Sequence, residues 1–345
     1  MLNYFKQYFQ KKKIKKKIYL YASGSTGSVF VHSLISNHKK ILSIPVILDT
    51  ERIYRHLLNS NKSLINILNE NTFFSFLTKK IKTEKYGDFS EYNDLNLDYF
   101  CEQLSELEKN KQLLTNYKNF SYQFYVAFLN SIPKKKFEYV LEHSHNLYPN
   151  KRKNYGAITN ILKLDRKAKI LVTTRHPYSN FYSFCKNYNK DYNRITKILI
   201  EMKTEINEIK KNFQNIYFIK IEKLNENPRE EMGKILEYLN LEFDENTLFS
   251  KIANKPLVSK SSSGQLIQGF SKNLNKGNLM EEKDKYLINY LYQDYFKLFN
   301  YLPETIKKKN YDLLEISKNF FNIKHDNLNN LEERKLAINK LLKSI

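Results

Sequence analysis

Five short runs rich in isoleucine, valine and tyrosine constrain this chain most: KIYLYA at 17–22, ILSIPVIL at 41–48, EYVLEHS at 138–144, KILVTTR at 169–175 and IYFIKIE at 216–222. Each has the length and the β-branched or aromatic content of a strand. The stretches between them carry helical patterns and are long enough for crossover helices. Strands joined in that way pair in parallel. The expected fold is α/β, a parallel β-sheet flanked by helices on both faces. At 345 residues the chain can bury the core of one such domain and still carry appendages.

Residues 1–16 read as a basic N-terminal arm, 17–301 as the main domain and 302–345 as a peripheral helical tail. Within the domain, residues 50–135 form a polar, aromatic and mostly helical insertion between the second and third strands, placed to act as a substrate lid. NENPREEMGKILEYLNL at 225–241 reads as a loop and then a helix with Ile235, Leu236 and Leu239 on one face. No internal repeat is found.

A formal net charge of +22 suits a polyanionic partner such as nucleic acid, an acidic glycan or a membrane surface. The same lysine, asparagine and isoleucine bias arises from AT-rich coding without selection for charge. No stripe of arginines interleaved with aromatics appears, so nucleic acid is not an expected partner. The KKKIKKK stretch at 11–17 precedes the first acidic residue, Asp49, and gives the arm the charge for membrane-surface contact. The apolar run after it is too short for a signal segment or a membrane span, which predicts a soluble protein. Cys101 and Cys185 are the only cysteines; they predict neither a disulfide framework nor a zinc site, and a reducing cytoplasm fits.

The first strand runs into SGSTGS and then the apolar SVFVHSLI, two of the chain's 8 glycines falling in the turn. A strand, a Gly/Ser/Thr turn and a helix place backbone N–H groups and hydroxyls at a positive helix N-terminus, an arrangement that cradles anions. Gly24 and Gly27 are not followed by the Lys-Ser/Thr pair of a Walker loop, which disfavours magnesium-ATP chemistry. A tight strand-to-helix corner is built from the same residues. The stretch ILVTTRHPYSNFYSF supplies a partner. Its strand ends at Arg175, Pro177 suits the first turn of a helix, and Ser183 follows Arg175 by eight positions. At about 100° per residue, eight positions return to within about a quarter turn, so guanidinium and hydroxyl can share one phosphate.

SGST after the first strand, RHPYSNFYS, and FIKIEKLNENPREEMGKILEYLNL together resemble the PAPS-dependent sulfotransferases, over about residues 17–301. The resemblance implies a P-loop-like sulfotransferase fold and 3′-phosphoadenosine 5′-phosphosulfate (PAPS) as co-substrate, with no metal. It assigns Ser23, Gly24, Ser25, Thr26 and Gly27 to the 5′-phosphosulfate, and Arg175 and Ser183 to the 3′-phosphate. PLVSKSSSGQLIQGFSKNLNKG at 256–277 sits where family members close a basic loop over the donor, which makes Lys260, Ser261, Ser262 and Ser263 candidates. The stretch also reads as a surface linker.

Sulfuryl transfer needs a base for the acceptor hydroxyl. VLEHSHNL places Glu142, His143 and His145 at the end of the third strand, on the carboxyl edge where α/β ligands bind. Strand alternation sends His143 and His145 to one face and Glu142 to the other. Histidine, with an ordinary pKa near 6.5, suits proton abstraction around neutrality. One departure stands out: relatives carry Lys or Arg immediately before the Ser-Gly pair, and here that position is Ala22. Either Lys260, Lys272 or a histidine takes that charge's place, or the protein binds donor and turns over poorly. The leading reading is transfer of a sulfuryl group from PAPS to a hydroxyl acceptor, on a carbohydrate or lipid-linked sugar. The alternative is a catalytically weak module that binds a nucleotide or an acidic glycan.

Overall fold

The protein is described by a computed structural model. It describes residues 16–22, 26–43, 50–70, 82–83, 87–88, 95–110, 117–132, 137–144, 168–187, 203–204, 206–207, 209–211, 213–252, 255–260, 266–271, 274 and 276–306.

All five apolar runs contribute strands to one sheet: β1 (Lys16–Ala22), β2 (Ile41–Ser43), β3 (Tyr139–Ser144), β4 (Lys169–Thr174) and β5 (Ile216–Lys220). Every pairing is parallel and the order is β2-β3-β1-β4-β5. The second run was expected over 41–48; its strand covers Ile41–Ser43, and 44–49 lie outside the described residues.

The period of two sorts side chains into two cores. Tyr19, Tyr21, Val140, Ile170 and Val172 enter one, while Ile18, Leu20, Leu141, Leu171 and Ile219 enter the other. On the second face lie α1 (Ser28–Ile35) and, after β5, α7 (Ile221–Glu226) and α8 (Pro228–Leu239). Pro228 opens α8 at its first turn, where the missing N–H has no helical partner to lose; Asn240 closes it in the left-handed region at φ 59°. Met232, Ile235, Leu236 and Leu239 are its buried stripe.

The first face carries the insertion: α2 (Thr50–Asn59), α3 (Leu64–Glu70), α4 (Leu97–Lys109) and α5 (Tyr117–Asn130). Asn96 caps α4 by accepting the Tyr99 N–H at 3.0 Å. Phe100, Phe124 and Phe128 meet edge to face, at centroid distances of 5.9 and 5.4 Å from Phe100. These three aromatics are core. Deeper, the buried Lys17 ammonium donates to Ser121 Oγ and lies 5.8 Å from the rings of both Tyr117 and Tyr125. Hydrogen bonding and ring faces make that burial tolerable.

The same face also holds α6 (Pro177–Asn187), α9 (Glu282–Leu291) and α10 (Gln293–Leu298). Residues 301–306 carry no helix; they lie against α6 and α9, and the remaining tail positions are outside the described residues. Among the described residues no helix is long and apolar enough to cross a membrane.

Candidate functional site

From β1 the chain crosses to β2 by way of α1, on one side; from β4 it leaves through α6 towards β5, on the other. Right-handed crossovers in opposite directions put α1 and α6 on opposite faces, so a crevice opens between the carboxyl ends of β1 and β4. Both sequence stretches singled out above end there.

At the β1 side, Gly27 caps α1 with φ 78°, and its carbonyl accepts the first helical bond from Val31 N–H at 3.1 Å. Two things reserve this position for glycine. The left-handed φ disfavours any side chain, and a Cβ would stand 2.9 Å from Ile221 Cγ1. No acidic residue lies in the first turn of α1, which leaves the positive end of the helix uncompensated. Thr26 is fully buried, and its hydroxyl shares a 2.6 Å hydrogen bond with Thr173 Oγ1 on β4. Thr173 in turn donates to Tyr21 O at 3.3 Å, so the loop is stitched to both strands that flank the crevice. Ser23, Gly24 and Ser25 lie outside the described residues.

At the β4 side, Arg175 follows the strand and Pro177 opens α6. Arg175 Nη1 donates to Ser183 Oγ at 3.0 Å, so the eight-residue spacing does bring guanidinium and hydroxyl together. Burial lowers the arginine pKa from its ordinary value, while the neighbouring Glu222 carboxylate works the other way. Glu222 accepts the His176 backbone N–H at 2.8 Å and the Tyr301 hydroxyl at 3.0 Å.

Between these two sides runs a segment that local periodicity did not single out. Phe270 packs edge to face on Phe30 of α1 at 5.2 Å. Ser271 N–H donates to Asn225 Oδ1 at 2.6 Å, Ser179 Oγ donates to Leu274 O at 2.9 Å, and Lys276 N–H donates to Ser179 Oγ at 3.0 Å. The 256–277 stretch is thus no free linker at its C-terminal half, which straps α1, α7 and α6 together. Its N-terminal half forms a hairpin in which Val258–Lys260 pairs antiparallel with Leu266–Gln268. Lys260 ends the first strand of that hairpin, and Ser261, Ser262, Ser263 and Lys272 are outside the described residues.

The candidate bases separate as alternation requires. Glu142 faces the insertion, 3% exposed; its Oε1 accepts Thr50 N–H at 2.9 Å and Thr50 Oγ1–H at 2.7 Å, and its Oε2 accepts from the Tyr125 hydroxyl at 3.0 Å. This carboxylate grips the first residue of α2. His143 points the other way and is equally buried, its ring 5.1 Å from that of His32 on α1. His32 Nε2 is hydrogen-bonded to Ser43 Oγ at the end of β2. His145 lies outside the described residues. Among the described residues no cluster of His, Cys, Asp and Glu side chains forms a metal site.

A glycine-capped helix N-terminus after β1 and a half-buried arginine–hydroxyl pair after β4, at the two sides of a switch point, define an α/β domain of the nucleotide-binding type. The family model described as the Sulfotransferase family matches residues 20–245, and the chain belongs to the sulfotransferase family. No curated protein matches the chain. Among solved structures, it is similar to the sulfotransferase domain of the Synechococcus PCC 7002 olefin synthase, at 16% identity over 69% of this chain and 77% of that one, TM-score 0.45. The sulfotransferase domain from the curacin biosynthetic pathway is 14% identical over 85% of this chain and all (100%) of that one, TM-score 0.46. Mouse sulfotransferase SULT7A1, solved in complex with PAP, is 13% identical over 84% and 90%, TM-score 0.39.

Proposed function

We propose that this protein transfers a sulfuryl group from PAPS to a hydroxyl of a carbohydrate or lipid-linked sugar, in the cytoplasm and without a metal. One observation carries the reading: Arg175 and Ser183, hydrogen-bonded to each other, stand across the crevice from the glycine-capped start of α1. The donor set fits PAPS. It offers N–H and O–H groups and a fixed positive charge.

In this reading the loop amides from Ser23 to Gly27 and the α1 dipole hold the 5′-phosphosulfate, Thr26 contributing its backbone while its hydroxyl anchors the loop. Arg175 and Ser183 hold the 3′-phosphate, and the strap ending at Lys276 closes over them. When bound, PAPS supplies a sulfuryl group whose bond to the 5′-phosphate oxygen breaks as its bond to the acceptor oxygen forms. The acceptor proton goes to His145, which strand alternation in the sequence assigns to the same face as His143. Glu142 and His143 are packed into the interior on either side of β3 and hold that strand end in place.

A second reading keeps the donor site and drops the turnover: a nucleotide-binding module, favoured by Ala22 at the position where relatives carry a cation. Both are tested by calorimetric titration of PAP with EDTA present. Native protein should bind in the micromolar range, with Arg175→Ala weakening PAP by about 30-fold or more, the cost of removing one partner of a buried charge pair. Ser183→Ala should cost about tenfold. Unchanged binding in both variants would refute the site. Formation of sulfated acceptor and PAP from PAPS, lost in His145→Ala, separates the enzyme from the module.

A further inference from the structure

Residues 301–304 dock on the loop that carries Arg175. The Tyr301 hydroxyl donates to Glu222 Oε2 at 3.0 Å while Glu222 Oε1 accepts the His176 N–H at 2.8 Å. One carboxylate therefore ties the C-terminal segment to the residue next to Arg175. The imidazole adds a second tie, His176 Nε2 to Leu302 O at 3.2 Å. A third runs to α6: Glu304 N–H donates to the Tyr178 hydroxyl at 3.0 Å, and that hydroxyl donates to Asn289 Oδ1. From α9, Lys285 pairs with the Glu304 carboxylate at 2.5 Å and Asn289 Nδ2 donates to Glu304 O at 3.1 Å. The Tyr301 ring lies edge-on to His176 at 5.2 Å and carries the Lys220 ammonium 4.7 Å from its centre. Lys220 ends β5 in register with Thr174, the residue before Arg175.

Both the backbone N–H and the imidazole Nε2 of His176 are thus held from the C-terminal side, the first by a carboxylate that Tyr301 orients and the second by Leu302, 126 residues away. We propose that this segment is a working part of the donor site: Tyr301, acting through Glu222, is a positioning residue that sets the Arg175–His176 turn for a 3′-phosphate. The inference rests on the donor reading above and adds to it a dependence on residues that touch no ligand. Outer partners of this kind orient the contacting group and change affinity without contacting the anion.

The test compares PAP with adenosine 5′-phosphate, which lacks the 3′-phosphate, on the full chain by calorimetry. Tyr301→Phe keeps the ring beneath Lys220 and beside His176 and removes only the hydroxyl; Glu222→Gln keeps the shape and removes the charge. Each should weaken PAP by about three- to tenfold, as expected for an outer-partner loss, and leave adenosine 5′-phosphate unchanged. Hydrogen exchange gives the reciprocal reading: PAP should slow the Glu304 amide in native protein and do so less in Tyr301→Phe. Equal loss of both nucleotides, or of neither, in a variant whose native parent discriminates between them would overturn the role of Tyr301 and leave the donor site standing. Failure of native protein to prefer PAP would overturn the donor site itself.

Discussion

Replacing Gly27 with alanine probes the close approach of the α1 start to Ile221 at the start of α7. Its φ of 78° lies in the left-handed region, where a side chain costs about 1–2 kcal/mol. The new methyl would stand 2.9 Å from Ile221 Cγ1 and 3.0 Å from Cδ1, well inside the 3.5–4.0 Å at which carbon contacts are most favourable. Ile221 is 3% exposed and cannot swing into solvent. Forcing extra volume into such a site costs about 1–3 kcal/mol. The total is about 2–5 kcal/mol, read as a lowered urea midpoint by far-ultraviolet circular dichroism. The two parts separate in a double-mutant cycle. Ile221→Ala costs about 2–5 kcal/mol alone but removes both contacting carbons, so alanine at position 27 should then cost only the backbone part, about 1–2 kcal/mol. A coupling within about 0.5 kcal/mol of zero would refute the steric reasoning. A total cost under about 0.5 kcal/mol, the size of an ordinary surface change, would refute the left-handed conformation.

Glu142→Ala would remove the acceptor of Thr50 N–H and of the Tyr125 hydroxyl and leave the Thr50 hydroxyl with Tyr117, a loss of about 2–5 kcal/mol by chemical denaturation, whereas Glu142→Gln should cost less than about 2 kcal/mol. Equal losses would show that the hydrogen bonds are not what matters there. Burial lowers the pKa of His176 and of His38 from the ordinary 6.5. The unfolded chain therefore takes up protons first, so stability is fully present above about pH 6.5 and falls as the pH drops towards the folded-state values. Urea titrations at pH 7.5 and 5.5 should show this decline, and His176→Gln with His38→Gln should flatten it; an undiminished slope in the double variant would assign the loss to other groups.

The sheet was legible because its signals are local: β-branched runs of strand length, with punctuation between them. The meeting of Arg175 and Ser183 was legible for the same reason, since helical geometry fixes what eight residues do. The environment of Glu142 was not. Alternation says which face it takes, but its partners Thr50 and Tyr125 arrive on helices whose packing no local period encodes. The aromatic content of 50–135 was plain in the sequence but the packing of Phe100, Phe124 and Phe128, edge to face within the core, was not. The stretch at 256–277 carried two readings, a loop over the donor and a surface linker, and its polar, glycine-containing composition hid the contacts that tie down its C-terminal half. Two of its ties use backbone N–H groups, on Ser271 and Lys276, which every residue type except proline presents alike. The strap at 301–304 was hidden similarly, with Tyr301 as its one distinctive side chain.

The placement of the insertion has a consequence for how such a chain diversifies. It leaves the sheet after Ser43 and returns at Tyr139, which pairs with Ile41 only two residues back along β2. Departure and return are therefore separated by about one strand spacing sideways and about 7 Å lengthwise. A segment entering and leaving so close together can change length cheaply, each doubling of a flexible connection adding only about 0.6 kcal/mol of closure entropy. The crevice at the switch point is framed by β1, β4 and the helices that follow them, none of which belongs to the insertion. A lineage of such proteins can exchange the one without rebuilding the other, keeping the β1–β4 frame unchanged while the excursion from β2 to β3 grows, shrinks or is replaced.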